Sequence, residues 1–230
     1  GITHSGFLKN NEYVLTKDNP AECADRIIKG EADIALIPVA ELNRLEKYEI
    51  IPGYCIRAEK EVASVLLVSN SPLDKIKKLY LDYQSRSSNN MLLILLRDFW
   101  KINPEILMSS KGYEKNLKEN EAALIIGDRA MIYGKDYLYR WDICSAWEKY
   151  SKGAYVTAVW TQNTKVDNIF LKNFIKALEY GINHISESIE GYEFNFDVLK
   201  YLQTNIRYDL RKEDIQAIDY FLKKINTILK

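Results

Sequence analysis

Ser85, Ser87 and Ser88 stand with Arg86 between the end of a predicted strand and the start of an apolar helix. The first turn of a helix has unpaired backbone N–H groups and about half a positive charge, so it attracts carboxylates and phosphates. The three serine hydroxyls add short donors that can reach such an anion. Serine is also a preferred capping residue. The stretch therefore predicts either an anion-binding turn or an ordinary helix cap.

Asp128 places a second polar group at a strand end, directly after the apolar stretch 122–126. There it would either contact a ligand or cap a short helix that begins at Arg129, and the cap is the favoured interpretation. Ser64 and Gly53 lie near a predicted crossing between two parts of the chain. They could offer groups to a ligand there, although hinge geometry explains them equally well.

Other kinds of chemistry find no support in the sequence. Cys23, Cys55 and Cys144 are odd in number and far apart, so neither a disulfide framework nor a cysteine zinc site is expected. Motifs for nucleotide loops, dinucleotide binding, the hydrolase elbow and zinc proteases do not occur. We therefore expect no metal and no cofactor.

Composition limits the partners of the chain. Its 230 residues include 32 basic and 32 acidic side chains, and this zero formal charge argues against nucleic-acid binding. Hydrophobic residues make up 47%, enough for a packed core. The longest apolar run, 91–96, is too short to span a membrane, and no signal peptide is visible over residues 1–11. We expect a cytoplasmic monomer or homodimer without a membrane partner.

Short apolar runs and helical stripes alternate along the chain. Strands are predicted at 32–38, within 49–68, at 78–82, at 122–126 and at 154–160. A capped helix is predicted from Asn19 to Gly30, and another from the serine stretch to about Trp100. Everything after Lys165 is predicted to be helical. The last apolar stripe contains Ile215, Ile218, Phe221, Leu222, Ile225 and Leu229.

This alternation predicts an α/β fold of two lobes with the second inserted into the first. Residues 1–71 and 154–230 would form the first lobe with its C-terminal helices, and residues 72–153 the second. A helix followed by a buried strand is typical of parallel sheets covered by helices. Ligands of such folds bind in the crevice outside the carboxyl ends of the strands.

Several stretches, in this order, resemble the chorismate dehydratase family of the futalosine route to menaquinone. The most specific are Leu-Asp-Tyr-Gln-Ser-Arg-Ser-Ser at 81–88 and Ile-Ile-Gly-Asp-Arg-Ala at 125–130. Further matching stretches lie at 30–40, 52–56, 62–65, 139–142, 146–147, 158–160 and 205–208. The resemblance spans nearly the whole chain, although no single stretch is diagnostic.

The resemblance implies a type II periplasmic-binding-protein-like fold, whose two lobes close on a small anion. It also implies a lyase without cofactor that removes water from chorismate, a dicarboxylate, to give 3-[(1-carboxyvinyl)oxy]benzoate. Ser87 and Ser88, together with Ser85, would then hold a carboxylate. Val39 and Ser64 would line the opposite lobe, with Asp128 as a polar contact and the general base unassigned.

Three departures from the family pattern are visible. The family usually opens with a strand ending in a Ser-Tyr-Leu-Asn-like loop, and nothing like it precedes Gly1. Its absence predicts unpaired strand edges inside the first sheet, unless another chain or a displaced element fills the gap, and an earlier natural segment. Arg57 and Lys60 stand where small residues are usual, and residues 151–155 replace a Thr-Gly-Leu-Pro-Phe-like stretch.

Two alternatives remain open beside the dehydratase. One is a small-anion binding or sensor module of the same fold without catalysis. The other is the sister enzyme of the pathway, which acts on a cyclic futalosine derivative with an early histidine as base; His4 is the only candidate and stands in a different context. The whole functional interpretation requires the turn near position 88 to face a groove between the lobes, and a turn that is packed shut or faces away from any groove would contradict it.

Overall fold

The computed structural model describes residues 1–9 and 11–228 of the chain. Its strands are β1 (Ile34–Pro38), β2 (Glu49–Ala58), β3 (Val65–Ser69), β4 (Lys78–Leu81), β5 (Glu105–Met108), β6 (Glu121–Ile126), β7 (Tyr139–Asp142), β8 (Tyr155–Gln162) and β9 (Arg207–Leu210). Its α-helices are α1 (Pro20–Ile28), α2 (Arg86–Ile94), α3 (Asp128–Tyr133), α4 (Ile143–Ser151), α5 (Asn168–Asn183), α6 (Ile185–Ser188), α7 (Val198–Lys200) and α8 (Lys212–Ile228). Leu229, the last member of the predicted C-terminal stripe, lies outside the described residues.

The first sheet has four strands in the order β1-β8-β2-β9, and every neighbouring pair is antiparallel. The prediction of a parallel arrangement here is therefore wrong. The predicted gap is also absent, because β8 pairs with β1 on one side and with β2 on the other. Strand β8, which the sequence predicts in this lobe, pairs on both sides, so the prediction of unpaired strand edges inside the first sheet is wrong.

The second sheet has five strands in the order β5-β4-β6-β3-β7. Strand β4 runs parallel to β5 and β6, as predicted for a βα unit, whereas β3 is antiparallel to β6 and β7. The chain enters this sheet after β2 and returns to the first sheet at β8. Because Val65–Ser69 belongs to the second sheet, the first crossing lies between Ala58 and Val65 rather than at the predicted boundary of 71 and 72.

The two sheets share one hydrophobic cluster. Successive strand residues point to opposite faces, so Leu67 of β3 enters the shared cluster while Leu66 and Val68 enter a second one. In the first sheet Ile37 faces the shared cluster, whereas Ile51 packs with Phe174 of α5 on the other face. Strand β3 is buried along its whole length because both faces of its sheet are covered.

Local signals account for the helices that were predicted. The Asn19 side chain accepts a hydrogen bond from Glu22 N at 3.0 Å, Pro20 begins α1, and Gly30 has a positive φ of 72°. The helix predicted to reach Trp100 is α2 followed by a π-helical turn, Leu95–Trp100. The prediction that everything after Lys165 is helical is wrong, since β9 pairs with β2.

No described helix has the length and apolar character that a bilayer crossing requires.

Asp98 ties the turn after α2 to two other helices. Its carboxylate accepts hydrogen bonds from Arg97 Nε at 2.6 Å, Lys224 Nζ of α8 at 2.9 Å and Tyr150 OH of α4 at 2.9 Å. The Arg97 bond, reinforced by Lys224 and Tyr150, holds the pKa of Asp98 far below its usual range despite some burial. A lowered folded-state pKa contributes stability above the unfolded-state pKa of about 3.9 that is lost as pH falls through the folded value.

We therefore expect Asp98→Asn to lower the free energy of unfolding by about 1 kcal/mol near pH 7, since the site is partly solvated. The difference from the parent should shrink as pH falls below 4. Urea unfolding at a series of pH values measures both. Asp74→Asn is the control, because Asp74 is 71% exposed and pairs with Lys75 only at 3.6 Å. A difference in the free energy of unfolding between Asp98→Asn and the parent that stays the same at every pH would contradict the lowered pKa of Asp98.

Candidate functional site

The serine turn begins α2 as the sequence predicts. Ser85 is the N-cap: its Oγ accepts a hydrogen bond from Ser88 N at 3.2 Å and donates one to Ser88 Oγ at 2.8 Å. The ordinary capping function of Ser85 is thus confirmed. Ser87 and Ser88 lie in the first turn, where the N–H groups and the helix dipole favour negative charge.

Residues after β1 cover this turn. Ala40 N donates to Ser87 Oγ at 3.3 Å, and Arg86 Nη1 pairs with the buried Glu41 carboxylate at 2.9 Å. Ser87 and Ser88 are consequently only 4% and 5% exposed. The groove that the sequence hypothesis requires at this turn is therefore closed in the structure. Val39 contributes its side chain to the shared core and is fully buried.

Asp82 fixes the loop that leads from β4 into the turn. Its carboxylate accepts hydrogen bonds from Gln84 N at 2.7 Å, Tyr113 OH at 2.8 Å and Arg129 Nη2 at 2.6 Å. Asn89 of α2 bonds both the N–H and the carbonyl oxygen of Asp82, at 2.9 and 2.8 Å. The loop is thereby held at both ends, which sets the direction of the helix N-terminus.

Ser64 lies in the crossing between β2 and β3, where two polar side chains position it. Asp142, the N-cap of α4, accepts hydrogen bonds from Val62 N at 2.8 Å and Ala63 N at 2.7 Å. Tyr201 OH donates to Ser64 Oγ at 2.9 Å. Burial raises the pKa of Tyr201; Ser64 opposes this rise, whereas Cys144 and Asp128 add to it.

Tyr155, at the start of β8, brings a second tyrosine hydroxyl to the same region. Its side chain is 1% exposed and its hydroxyl has no hydrogen-bond partner among the described residues. Burial raises its pKa well above the ordinary value, Cys144 adds to the rise, and the nearby Ser87 opposes it. Cys144 thus raises the pKa of both tyrosines. We call Ser64, Ser87, Tyr155 and Tyr201 the hydroxyl cluster.

Asp128 lies at the exposed edge of this region. The predicted helix beginning at Arg129 in fact begins at Asp128, and Gly127 is its N-cap with a φ of 60°. The interpretation of Asp128 as the cap is therefore wrong. Its carboxylate is close enough to raise the pKa of Tyr201, so it borders the hydroxyl cluster without belonging to its buried part.

Two open surface pockets of about 360 Å³ each lie away from the serine turn. One is lined by apolar and polar residues, among them Leu93, Arg97 and Ile102, and the other contains Lys60, Lys152 and Arg211. Arg57, the other family departure, has a side chain that is only 2% exposed and is occupied by carboxylates. Among residues 1–9 and 11–228, no group of three His, Cys, Asp or Glu side chains is arranged to hold a metal.

The sequence missed Tyr155, Tyr201 and Asp82. Asp82 carried a usable signal, because a carboxylate directly after a strand of a βα unit lies at the carboxyl edge of the sheet. The tyrosines carried none, since 16 tyrosines occur and periodicity does not show where a hydroxyl points.

Comparisons with solved structures place the fold. Protein AF1704 from Archaeoglobus fulgidus matches with a TM-score of 0.69 at 13% identity, covering 93% of this chain and 85% of that one. An ABC transporter protein from Parabacteroides distasonis matches at 0.65 and 16% identity, covering 94% and 81%. The alkanesulfonate-binding protein SsuA from Xanthomonas axonopodis pv. citri, bound to MOPS, matches at 0.55 and 11%, covering 90% and 80%. The chain therefore has the α/β fold of type II periplasmic-binding-like proteins, as predicted.

The family comparison covers almost the whole chain. The model described as menaquinone biosynthesis matches residues 3–227, which include both sheets, the serine turn and the hydroxyl cluster. The resemblance drawn from the sequence is thereby confirmed: the chain belongs to the menaquinone biosynthesis family.

Proposed function

We propose that this protein is a chorismate dehydratase, which removes water from chorismate to give 3-[(1-carboxyvinyl)oxy]benzoate. The observation that carries the proposal is a set of buried hydroxyl donors at the N-terminus of α2, in a chain of the menaquinone biosynthesis family. Chorismate has two carboxylates. A carboxylate that leaves water loses its hydrogen bonds to water. A helix N-terminus with serine hydroxyls supplies hydrogen bonds that replace them for one of the two carboxylates.

The protonation states of the tyrosines support a role in binding. Burial raises the pKa values of Tyr155 and Tyr201, so both hydroxyls stay protonated near neutral pH. They can therefore donate hydrogen bonds to substrate oxygens, but they do not act as general bases. Preorganised donors of this kind, in a site that excludes water, stabilise a negative charge strongly.

The reaction removes the ring proton from the carbon that bears the ether, and the neighbouring hydroxyl leaves. The products are an aromatic ring and one water molecule. Aromatisation supplies much of the driving force, so the protein has to orient the substrate and exclude bulk water. The hydroxyl cluster contains no ionised base, and a carboxylate of the substrate itself is the candidate for the general base. Ser87 and Ser88 would hold the other carboxylate, with Ser64 facing them.

Substrate entry requires the turn to be uncovered. The contacts that close it are the Ala40 N–Ser87 Oγ bond at 3.3 Å and the Arg86–Glu41 pair at 2.9 Å. Both join the segment after β1 to the start of α2. Opening these two contacts would expose the hydroxyl donors, and closing them over the substrate would exclude water.

The test is incubation of the full chain with chorismate, followed by mass spectrometry. We expect a product lighter by one water with the absorption of a substituted benzoate, absent from samples without protein. Asp74→Asn should keep the activity, because Asp74 is exposed and precedes β4, whereas the turn follows the other end of that strand. Recovery of chorismate unchanged, at protein concentrations that bind it, would refute the proposal.

The same experiment distinguishes the second candidate, a small-anion binding module. That candidate is favoured by the chemistry of the hydroxyl cluster, whose four members supply donors and no ionised base. It predicts saturable binding of chorismate with the ligand recovered intact. Arg57 does not support it, because Asp209, Glu59 and Asp214 occupy its guanidinium.

A further inference from the structure

Tyr155 carries an unsatisfied donor in the interior of the protein. Its side chain is 1% exposed, and no described residue accepts its hydroxyl proton. Ser87 is near enough to lower its pKa, but the distance and angle between the two hydroxyls do not meet those of a hydrogen bond. Leaving a buried hydroxyl unpaired is unfavourable, so a folded protein rarely keeps one without a use.

The neighbouring hydroxyls lack acceptors as well. Ser87 Oγ receives a bond from Ala40 N at 3.3 Å, and Ser88 Oγ receives one from Ser85 Oγ at 2.8 Å. Among the described residues, neither serine proton has an acceptor. Tyr155 of β8 thus lies near Ser87 of α2, at the positive end of a helix dipole, and none of these hydroxyl protons has an acceptor among the described residues. The group that completes such an arrangement is a carboxylate oxygen.

We propose that Tyr155 is a specificity-determining residue that donates a hydrogen bond to a carboxylate of the ligand held at the N-terminus of α2. This inference rests on the site used in the proposed function, but not on the dehydration. The hydroxyl selects a ligand with an anionic oxygen within reach of both β8 and α2. It disfavours a neutral analogue, which would leave the donor buried and unpaired.

The test compares Tyr155→Phe with Tyr137→Phe in the full chain. Tyr137 is also buried, but its hydroxyl already donates to the Glu114 carbonyl oxygen at 2.5 Å. The probe is isophthalate, an aromatic dicarboxylate that cannot lose water, and calorimetry gives its Kd. We expect Tyr155→Phe to raise the Kd roughly 10-fold, because it removes a hydrogen bond to a charged group.

Thermal unfolding without ligand supplies the second readout. Tyr155→Phe should raise Tm by about 2–4 °C, because it removes an unpaired buried hydroxyl, whereas Tyr137→Phe should lower Tm by a similar amount. Tyr137→Phe should leave the Kd of isophthalate unchanged. If Tyr155 were purely structural, Tyr155→Phe would instead lower Tm and leave the Kd of isophthalate unchanged.

The outcomes separate this inference from the proposed function. A lower Tm for Tyr155→Phe, an unchanged Kd, or no binding of isophthalate to the parent overturns the inference. A weaker Kd with a higher Tm supports it even where chorismate is recovered intact, in which case only the dehydratase fails. If Tyr155→Phe and the parent turn over chorismate with the same KM, the protein is a dehydratase but the inference about Tyr155 is wrong.

Discussion

Replacing both Ser87 and Ser88 by alanine should weaken binding of chorismate at least about 100-fold, because two hydrogen bonds to a carboxylate are lost. The backbone N–H groups and the dipole of α2 remain, so some affinity should persist. The measurement is KM for turnover, or the Kd of isophthalate by calorimetry. This is the largest effect that we expect from any change at the site.

The double variant also has a structural cost that has to be measured separately. Ser87 Oγ is the acceptor for Ala40 N, so its removal leaves that buried N–H unpaired. Urea unfolding should show a loss of about 1–3 kcal/mol from this cause. A fully folded double variant with weak binding supports the assignment.

Ser85→Ala is the matched control on the same turn. Ser85 caps Ser88 N at 3.2 Å, and its loss should cost about 1 kcal/mol of stability. The hydroxyls of Ser87 and Ser88 remain, so affinity should change much less than in the double variant. If the double variant and the parent bound the ligand with equal affinity, the serine turn would not be part of the binding site.

The elements that the sequence predicted well are those specified by local signals. Asn19, Pro20 and Gly30 specify α1 by capping chemistry, and the serine stretch specifies the start of α2 in the same way. The strands predicted correctly are buried and carry continuous apolar runs. Leu67 and Leu124, for example, lie in strands covered on both faces.

The missed strands share a physical property. Strands β5, β7 and β9 each lie at an edge of a sheet, are four residues long, and pair with a single neighbour. Such strands bury little surface, as Met108 in β5 illustrates with 66% exposure. Without burial there is no apolar alternation to detect. Only the partner strand, distant in sequence, makes these residues extended.

The serines at the start of α2 are indicated by helix-start chemistry, and Ser64 is indicated by its place near the predicted crossing and by the family resemblance. Tyr155 and Tyr201 carry no such signal, because β8 and the segment before β9 return from distant parts of the sequence. The closure of the turn also depends on a distant contact, that of Ala40 with Ser87 across 47 positions. Such contacts follow from topology rather than from local pattern.

Arg57→Met should produce the largest loss of stability, about 3 kcal/mol in urea unfolding at pH 7. Arg57 is buried on β2 and bonds Asp209 Oδ1 and Oδ2 at 2.8 and 2.7 Å and Glu59 Oε1 at 2.6 Å. Its Nε also lies 3.4 Å from the Asp214 carboxylate, which is 1% exposed. Removing the guanidinium leaves that buried charge with Arg211 as its remaining partner, at 3.2 Å.

The pH dependence follows from Glu59. The hydrogen bond from Arg57 lowers the pKa of Glu59, so this contribution is present above its unfolded-state pKa and is lost as pH falls through the lowered value. The stability difference between Arg57→Met and the parent should therefore narrow below about pH 4. Unfolding curves at pH 3 and pH 7 measure this change.

Two further variants, Arg207→Met and Arg57→Met/Asp214→Asn, test the prediction about Arg57. Arg207 is 42% exposed and reaches Glu59 only at 3.9 Å, so its loss should cost less than about 1 kcal/mol. In Arg57→Met/Asp214→Asn the buried charge that has lost Arg57 is removed as well, so the cost should fall below the sum of the single variants by about 1 kcal/mol or more. Equal costs for Arg57→Met and Arg207→Met would mean that solvent already screens the Arg57 network. In that case Arg57 would not hold β2 against β9 and α8 at the crossing.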